Sequence, residues 1–154
     1  MAMSRLNGDI QHSSTAGQVL VVEDDADLRE ALCRVARMQG YGVECVGSVR
    51  EALARLAERP ACVILDLTLT DGSGLAVLES IRGQNLPIEV AVVSGGADLD
   101  LLVDAVLMRP GALFTKPVDL TEIAGWLSAC RANHAGASAG DEGNGDSARG
   151  SSAV

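Results

Sequence analysis

Aromatic side chains are nearly absent: one Trp, one Tyr and one Phe make up 2% of the 154 residues. The core must therefore be aliphatic, built from the Val, Leu, Ile and Ala within the 47% hydrophobic content. Cationic charge is also scarce. Twelve Lys and Arg face 21 Asp and Glu, a formal net charge of −9. That excludes the broad basic face that neutralises phosphates in nonspecific DNA binding, so no direct nucleic-acid contact is expected. No apolar run approaches 18 residues, and the first 16 residues lack the apolar block of a signal peptide. A soluble, cytoplasmic protein without membrane contact is the expectation. The four cysteines (Cys33, Cys45, Cys62, Cys130) show no C-x-x-C spacing and no neighbouring histidine. All lie in apolar-patterned segments and read as reduced structural thiols, neither a zinc site nor a disulfide framework.

One domain is expected, spanning residues 17–132 between polar or Gly/Ala/Ser-rich tails at 1–16 and 133–154 that read as disordered. Within it, apolar runs alternate with helical patterns, which implies a parallel α/β sheet. Val19–Val22 reads as a central strand covered on both faces. A helix should begin near Asp25, bury Leu28, Leu32, Val35 and Ala36, and stop at Gly40. After a strand at Val43–Val46, Ser48 and Glu51 form a capping-box pattern for a helix burying Ala52, Leu53 and Leu56, ended by Pro60. Cys62–Leu65 is the third strand. A loop with two glycines, 70–74, leads into a helix carrying Leu75, Leu78 and Ile81. Val90–Val93 is the fourth strand, followed by a helix over Asp98–Met108. Ala112–Thr115 is the fifth, and Asp119 with Glu122 resembles a cap for a helix carrying Ile123, Trp126, Leu127 and Cys130.

Chemistry-bearing residues stand at four of the five strand ends: Glu23-Asp24-Asp25, Asp66, Ser94 and Lys116. Lys116 is the one lysine of the chain and is followed by Pro117. Parallel strands bring their carboxyl ends to one edge, where such folds build their sites. Each residue has a plain alternative: acids after a strand cap the next helix, Asp66 and Ser94 suit turns, and Lys116-Pro117 ends a strand. Four such coincidences at matching ends are harder to accept than one pocket. Two carboxylates about 4 Å apart repel by roughly 4 kcal/mol at an effective dielectric of 20. A hard divalent cation offsets that repulsion, and Mg²⁺ is commonly held by one or two carboxylates together with phosphate. The cluster therefore suits phosphoryl chemistry. Asp66 would be the nucleophile, and Mg²⁺ would be held by Asp24 and Asp66, with Glu23 near. Ser94 and Lys116 would contact phosphoryl oxygens.

The motifs Val21-Val-Glu-Asp24, Val63-Ile-Leu-Asp66-Leu-Thr-Leu69, Val92-Val-Ser94-Gly and Lys116-Pro117 resemble those of the receiver domain of two-component response regulators. The resemblance covers roughly Gln18 to Arg131, with 42 residues from Asp24 to Asp66, 28 from there to Ser94 and 22 more to Lys116. It implies a (βα)₅ flavodoxin-like fold with strand order 2-1-3-4-5, Mg²⁺ dependence, and phosphorylation of Asp66 by a sensor histidine kinase or histidine phosphotransfer protein. It also implies Glu23 and Asp24 as the acidic pair, the Thr68 backbone carbonyl as a metal ligand, Ser94 as the switch hydroxyl, Lys116 as the phosphate-pairing cation, and a cis Lys116-Pro117 bond. The chain departs from the family at Thr70, where proline is usual, and at Leu113, where a switch aromatic is usual; Phe114 is the neighbouring ring. Strand alternation puts Leu113 and Phe114 on opposite faces.

About twenty residues follow Arg131, which leads us to expect a single-domain regulator acting through an as yet unknown downstream protein or a second copy of itself. The segment Leu99–Met108 is apolar over more than one stripe and is the candidate contact surface. The expected chemistry is limited to self-phosphorylation from a donor and self-dephosphorylation, so the chain is not read as an enzyme in the wider sense. Two alternatives are a receiver-like docking or dimerisation scaffold that works without phosphorylation, and a haloacid-dehalogenase-type phosphatase. The latter wants an aspartate two residues after the nucleophile, where Thr68 stands. The leading reading requires the Lys116 amine close to the Asp66 carboxylate, and Asp66 open to solvent.

Overall fold

A computed structural model describes residues 17–133; the tails expected at 1–16 and, beyond Asn133, at 134–154 lie outside the described residues. Five parallel strands form one sheet: β1 (Gln18–Val22), β2 (Gly42–Val46), β3 (Cys62–Asp66), β4 (Glu89–Ser94) and β5 (Ala112–Thr115). Their spatial order is β2-β1-β3-β4-β5, as expected. Helices α1 (Ala26–Met38), α2 (Val49–Arg55), α3 (Leu75–Gly83), α4 (Leu99–Leu107) and α5 (120–133) connect or follow them. In register, Val21 pairs with Cys45 on one side and Ile64 on the other, and Val92 pairs with Leu65 and Leu113.

The aliphatic core divides cleanly across the sheet. On one face Val19, Val21, Ile64 and Val93 pack with Leu32, Cys33 and Ala36 of α1 and with Ile123, Leu127 and Cys130 of α5. On the other, Leu20, Val22, Val63, Leu65 and Val92 pack with Ala52 of α2, Val77, Leu78 and Ile81 of α3, and Ala105 of α4. Strands β1 and β3 are covered on both sides, which is why they read as unbroken apolar runs. Caps fix the helix starts: Asp25 accepts from the Asp27 amide, Ser48 from Glu51, Asp98 from Leu101 and Asp119 from Thr121.

Three expectations need correction. Leu53 is 40% exposed, because it follows the buried Ala52 directly and is turned about 100° away from it around the helix. A small antiparallel hairpin, Thr68–Leu69 paired with Gly72–Ser73, occupies what the sequence presents as a loop. Most directly, Cys33 and Cys45 form a disulfide, so not all four cysteines are thiols. Helix α1 packs over the edge strand β2 and brings their Cα atoms to 6.7 Å, within reach of a cross-link. Cys62 and Cys130 lie outside the disulfide and are buried, as expected of structural thiols.

Candidate phosphoryl-transfer pocket

Every strand-end residue singled out above follows from the same local rule: a buried strand runs out, and the first polar residue emerges at the carboxyl edge. Glu23 follows β1, its amide donating to the Val46 carbonyl of β2 at 3.1 Å. Arg29, one turn into α1, donates to the Glu23 carbonyl at 2.9 Å and ties this bend to the helix. Asp66 and Ser94 are the last residues of β3 and β4. Lys116 follows β5 and its amide donates to the Ser94 carbonyl at 2.8 Å. The Lys116-Pro117 bond is cis.

The lysine is the hub. Its Nζ lies 3.1 Å from Asp66 Oδ2 and 3.1 Å from Glu23 Oε1. Its hydrogen bond to Glu23 runs to Oε2, at 3.5 Å, and Oε1 has no hydrogen-bond partner although it is buried. Asp66 Oδ1 accepts the Thr68 amide at 3.0 Å. Glu23, Asp24 and Asp66 each offer a carboxylate oxygen within 4.8 Å of the others. Burial, the nearby Asp66 and a hydrogen bond shared with it push the Glu23 carboxyl up to about 7, against the pull of the Asp25 amide and Lys116. Burial works against the Lys116 ammonium, but its bonds to Asp66 and Glu23 outweigh that and hold its pKa above the ordinary value.

The donor set fits a hard divalent cation. All ligand atoms on offer are oxygens, three acids face one ammonium, and the buried Glu23 Oε1, 3.1 Å from that ammonium, accepts no hydrogen bond.

The expected proximity of Lys116 and Asp66 is met. The expected openness of Asp66 is not: it is 2% exposed. Lys116, whose side chain is 30% exposed, touches it as the counter-charge of the acids. Ser94 is buried beside Lys116, and its Oγ accepts the Gly96 amide at 3.1 Å. Phe114 packs on the face of α1 and α5, whereas Leu113 is 39% exposed and pairs with Val92 of the opposite face. The ring therefore does not stand in for Leu113.

Three residues around the pocket escape sequence reasoning. Gly74 lies against the backbone of Asp66, where a Cβ would strike the Asp66 carbonyl oxygen. Its place in a Gly-containing loop was the one available signal. Asp71 acts on a segment more than twenty residues away, and nothing in the spacing marks it or Arg29.

Residues 19–127 match the response regulator receiver domain family. The acid tolerance regulatory protein ActR of Rhizobium meliloti (strain 1021) is 35% identical over 106 residues, covering 68% of this chain and 55% of that protein. Response regulator MprA of Mycolicibacterium vanbaalenii is 39% identical over 104 residues, covering 62% of this chain and 45% of that protein. This chain thus spans about half the length of these relatives. The CheY-like response regulator receiver domain protein from Methanospirillum hungatei JF-1 superposes with a TM-score of 0.69 at 22% identity, over 75% of this chain and 94% of that one, a likeness of fold. The described residues contain no helix long and apolar enough to cross a membrane. Strand order, motif order and family match agree, and the chain belongs to the response regulator receiver domains of two-component systems.

Proposed function

We propose that residues 17–132 work as a phosphoacceptor, with Asp66 receiving a phosphoryl group from the phosphohistidine of a sensor histidine kinase or a histidine phosphotransfer protein. The observation that carries this reading is the Lys116 ammonium 3.1 Å from Asp66 Oδ2, in a pocket where three acids converge. An Asp66 oxygen forms the new O–P bond as the donor's N–P bond breaks. The electron pair leaves with the imidazole nitrogen, which takes up a proton. Glu23, Asp24, Asp66 and the Thr68 carbonyl are the residues that would hold Mg²⁺. When bound, the ion supplies positive charge for the phosphoryl oxygens. Lys116 is the pocket's movable part: withdrawing from Asp66 uncovers the carboxylate, and the ammonium then pairs with a phosphoryl oxygen. The Ser94 hydroxyl donates to another, giving up the Gly96 amide.

Beyond this pocket, the reading holds that the chain signals by contact with another protein or a second copy of itself, without touching nucleic acid or membrane. Its own chemistry is limited to gaining and losing phosphate. The exposed Leu99, Val103, Val106 and Leu107 of α4 are the contact surface in this reading. Cytoplasmic residence belongs to the same proposal and implies that Cys33 and Cys45 are a dithiol in growing cells, which thiol trapping before lysis would reveal.

The test is incubation of wild type and Asp66→Ala with acetyl phosphate and Mg²⁺, followed by intact mass. An adduct on wild type alone is expected. Leu113 in place of a ring favours a second reading, a scaffold that docks without phosphorylation; wild type that stays folded and takes no phosphoryl group would establish it.

A further inference from the structure

We propose that Asp71 is a positioning residue for Asp66: its carboxylate pins the hairpin after β3 to the start of α2 and so holds the Thr68 amide on the reacting carboxylate. This rests on the phosphoacceptor reading of Asp66.

The hairpin is the segment that brings a backbone amide to the Asp66 carboxylate. Thr68 pairs with Ser73 and Leu69 with Gly72, and the Thr68 amide donates to Asp66 Oδ1 at 3.0 Å. Arms of two residues do not hold themselves in place. Residues 67–74 contain no proline to stiffen them. Two other anchors act: the Gly74 amide donates to the Leu67 carbonyl at 2.8 Å at the base, and Leu69, beside the turn, is buried. The tip is fastened differently. Asp71 Oδ1 accepts the Val49 amide at 2.9 Å and Oδ2 accepts the Arg50 amide at 3.2 Å. These two bonds hold the Asp71 carboxyl below the usual carboxylate range, a sign that the ionised form is engaged.

Asp71 could be a helix cap and nothing more, since the first amides of α2 need acceptors. The same helix end carries its own cap, however. Ser48 Oγ accepts the Glu51 amide at 3.2 Å and donates to Glu51 Oε1 at 3.0 Å. Ser48 and Asp71 thus serve one helix end, and of the two only Asp71 belongs to the segment that reaches Asp66.

That difference supplies the experiment. Asp71→Ala, Asp71→Asn and Ser48→Ala are compared in the full chain for urea stability, rate of Asp66 labelling by acetyl phosphate with Mg²⁺, and hydrogen exchange of the Thr68 amide. Both alanine variants should lose some stability. Asp71→Ala alone should slow labelling, roughly tenfold for a displaced reacting group, and speed exchange at Thr68. Asp71→Asn, which keeps an acceptor oxygen, should recover part of both. Equal labelling and equal Thr68 exchange in Asp71→Ala and Ser48→Ala would reduce Asp71 to a cap and overturn the inference. Should wild type take no phosphoryl group, the phosphoacceptor reading falls instead, while Thr68 exchange still decides whether Asp71 holds the hairpin.

Discussion

The Glu23 carboxyl is held at about 7, against an ordinary 4.5, chiefly because burial penalises its charged form and Asp66 lies beside it. Between those two values the folded chain keeps a proton that the unfolded chain has released. Stability of the metal-free protein should therefore fall as pH rises across that window. Urea midpoints measured through it should decline in wild type and stay flatter in Glu23→Gln. Because Mg²⁺ offsets the charge that causes the loss, the stabilisation it brings should be larger at about pH 8 than at about pH 5. Equal Mg²⁺ effects at both would count against a cation among these acids. Gly74 poses a steric question at the same scale. In Gly74→Ala the new methyl meets the Asp66 carbonyl oxygen, so backbone must move, at a cost of about 1–3 kcal/mol. The displaced strand end should also slow labelling of Asp66, which intact mass against time would register.

Helix α1 is fastened to the sheet edge by more than packing. The Cys33–Cys45 disulfide joins it to β2 across a sequence separation of 12. Closing a ring of that size in the unfolded chain is worth about 3 kcal/mol. Cys45→Ser, or a reductant acting on wild type, should lower the unfolding free energy by about that amount, measured by denaturant melts; no change under reductant would mean the thiols are already apart in solution. On the opposite side, Arg82 of α3 donates to the carbonyls of Met108 and Arg109 at 2.9 and 3.0 Å, closing the end of α4. The apolar outer face of α4 is therefore carried on a helix stopped at both ends, by Asp98 and by Arg82.

At the scale of the whole molecule, that face sets an apolar patch on the surface of an acidic chain. Leu99, Val103 and Leu107 are 69%, 56% and 74% exposed at spacings that place them on one side of the helix. Sedimentation velocity should show concentration-dependent association that Val103→Glu reduces without changing the fold. Wild type that remains monomeric, with and without acetyl phosphate, would assign the face to a different partner.

The alternation of strands and helices and the placing of Glu23, Asp24, Asp66, Ser94 and Lys116 at strand ends were legible in the chain alone, and the strand order followed from the family resemblance. The reason is physical: a strand buried on both faces must read as an apolar run, and the polar residue that ends it must surface at one shared edge. What the chain did not disclose are contacts between segments whose separation obeys no period. Asp71 meets Val49 and Arg50 across more than twenty residues, and Cys33 meets Cys45 without a motif. Local sequence decides which face a residue takes; only the packed tertiary structure decides which distant partner waits there.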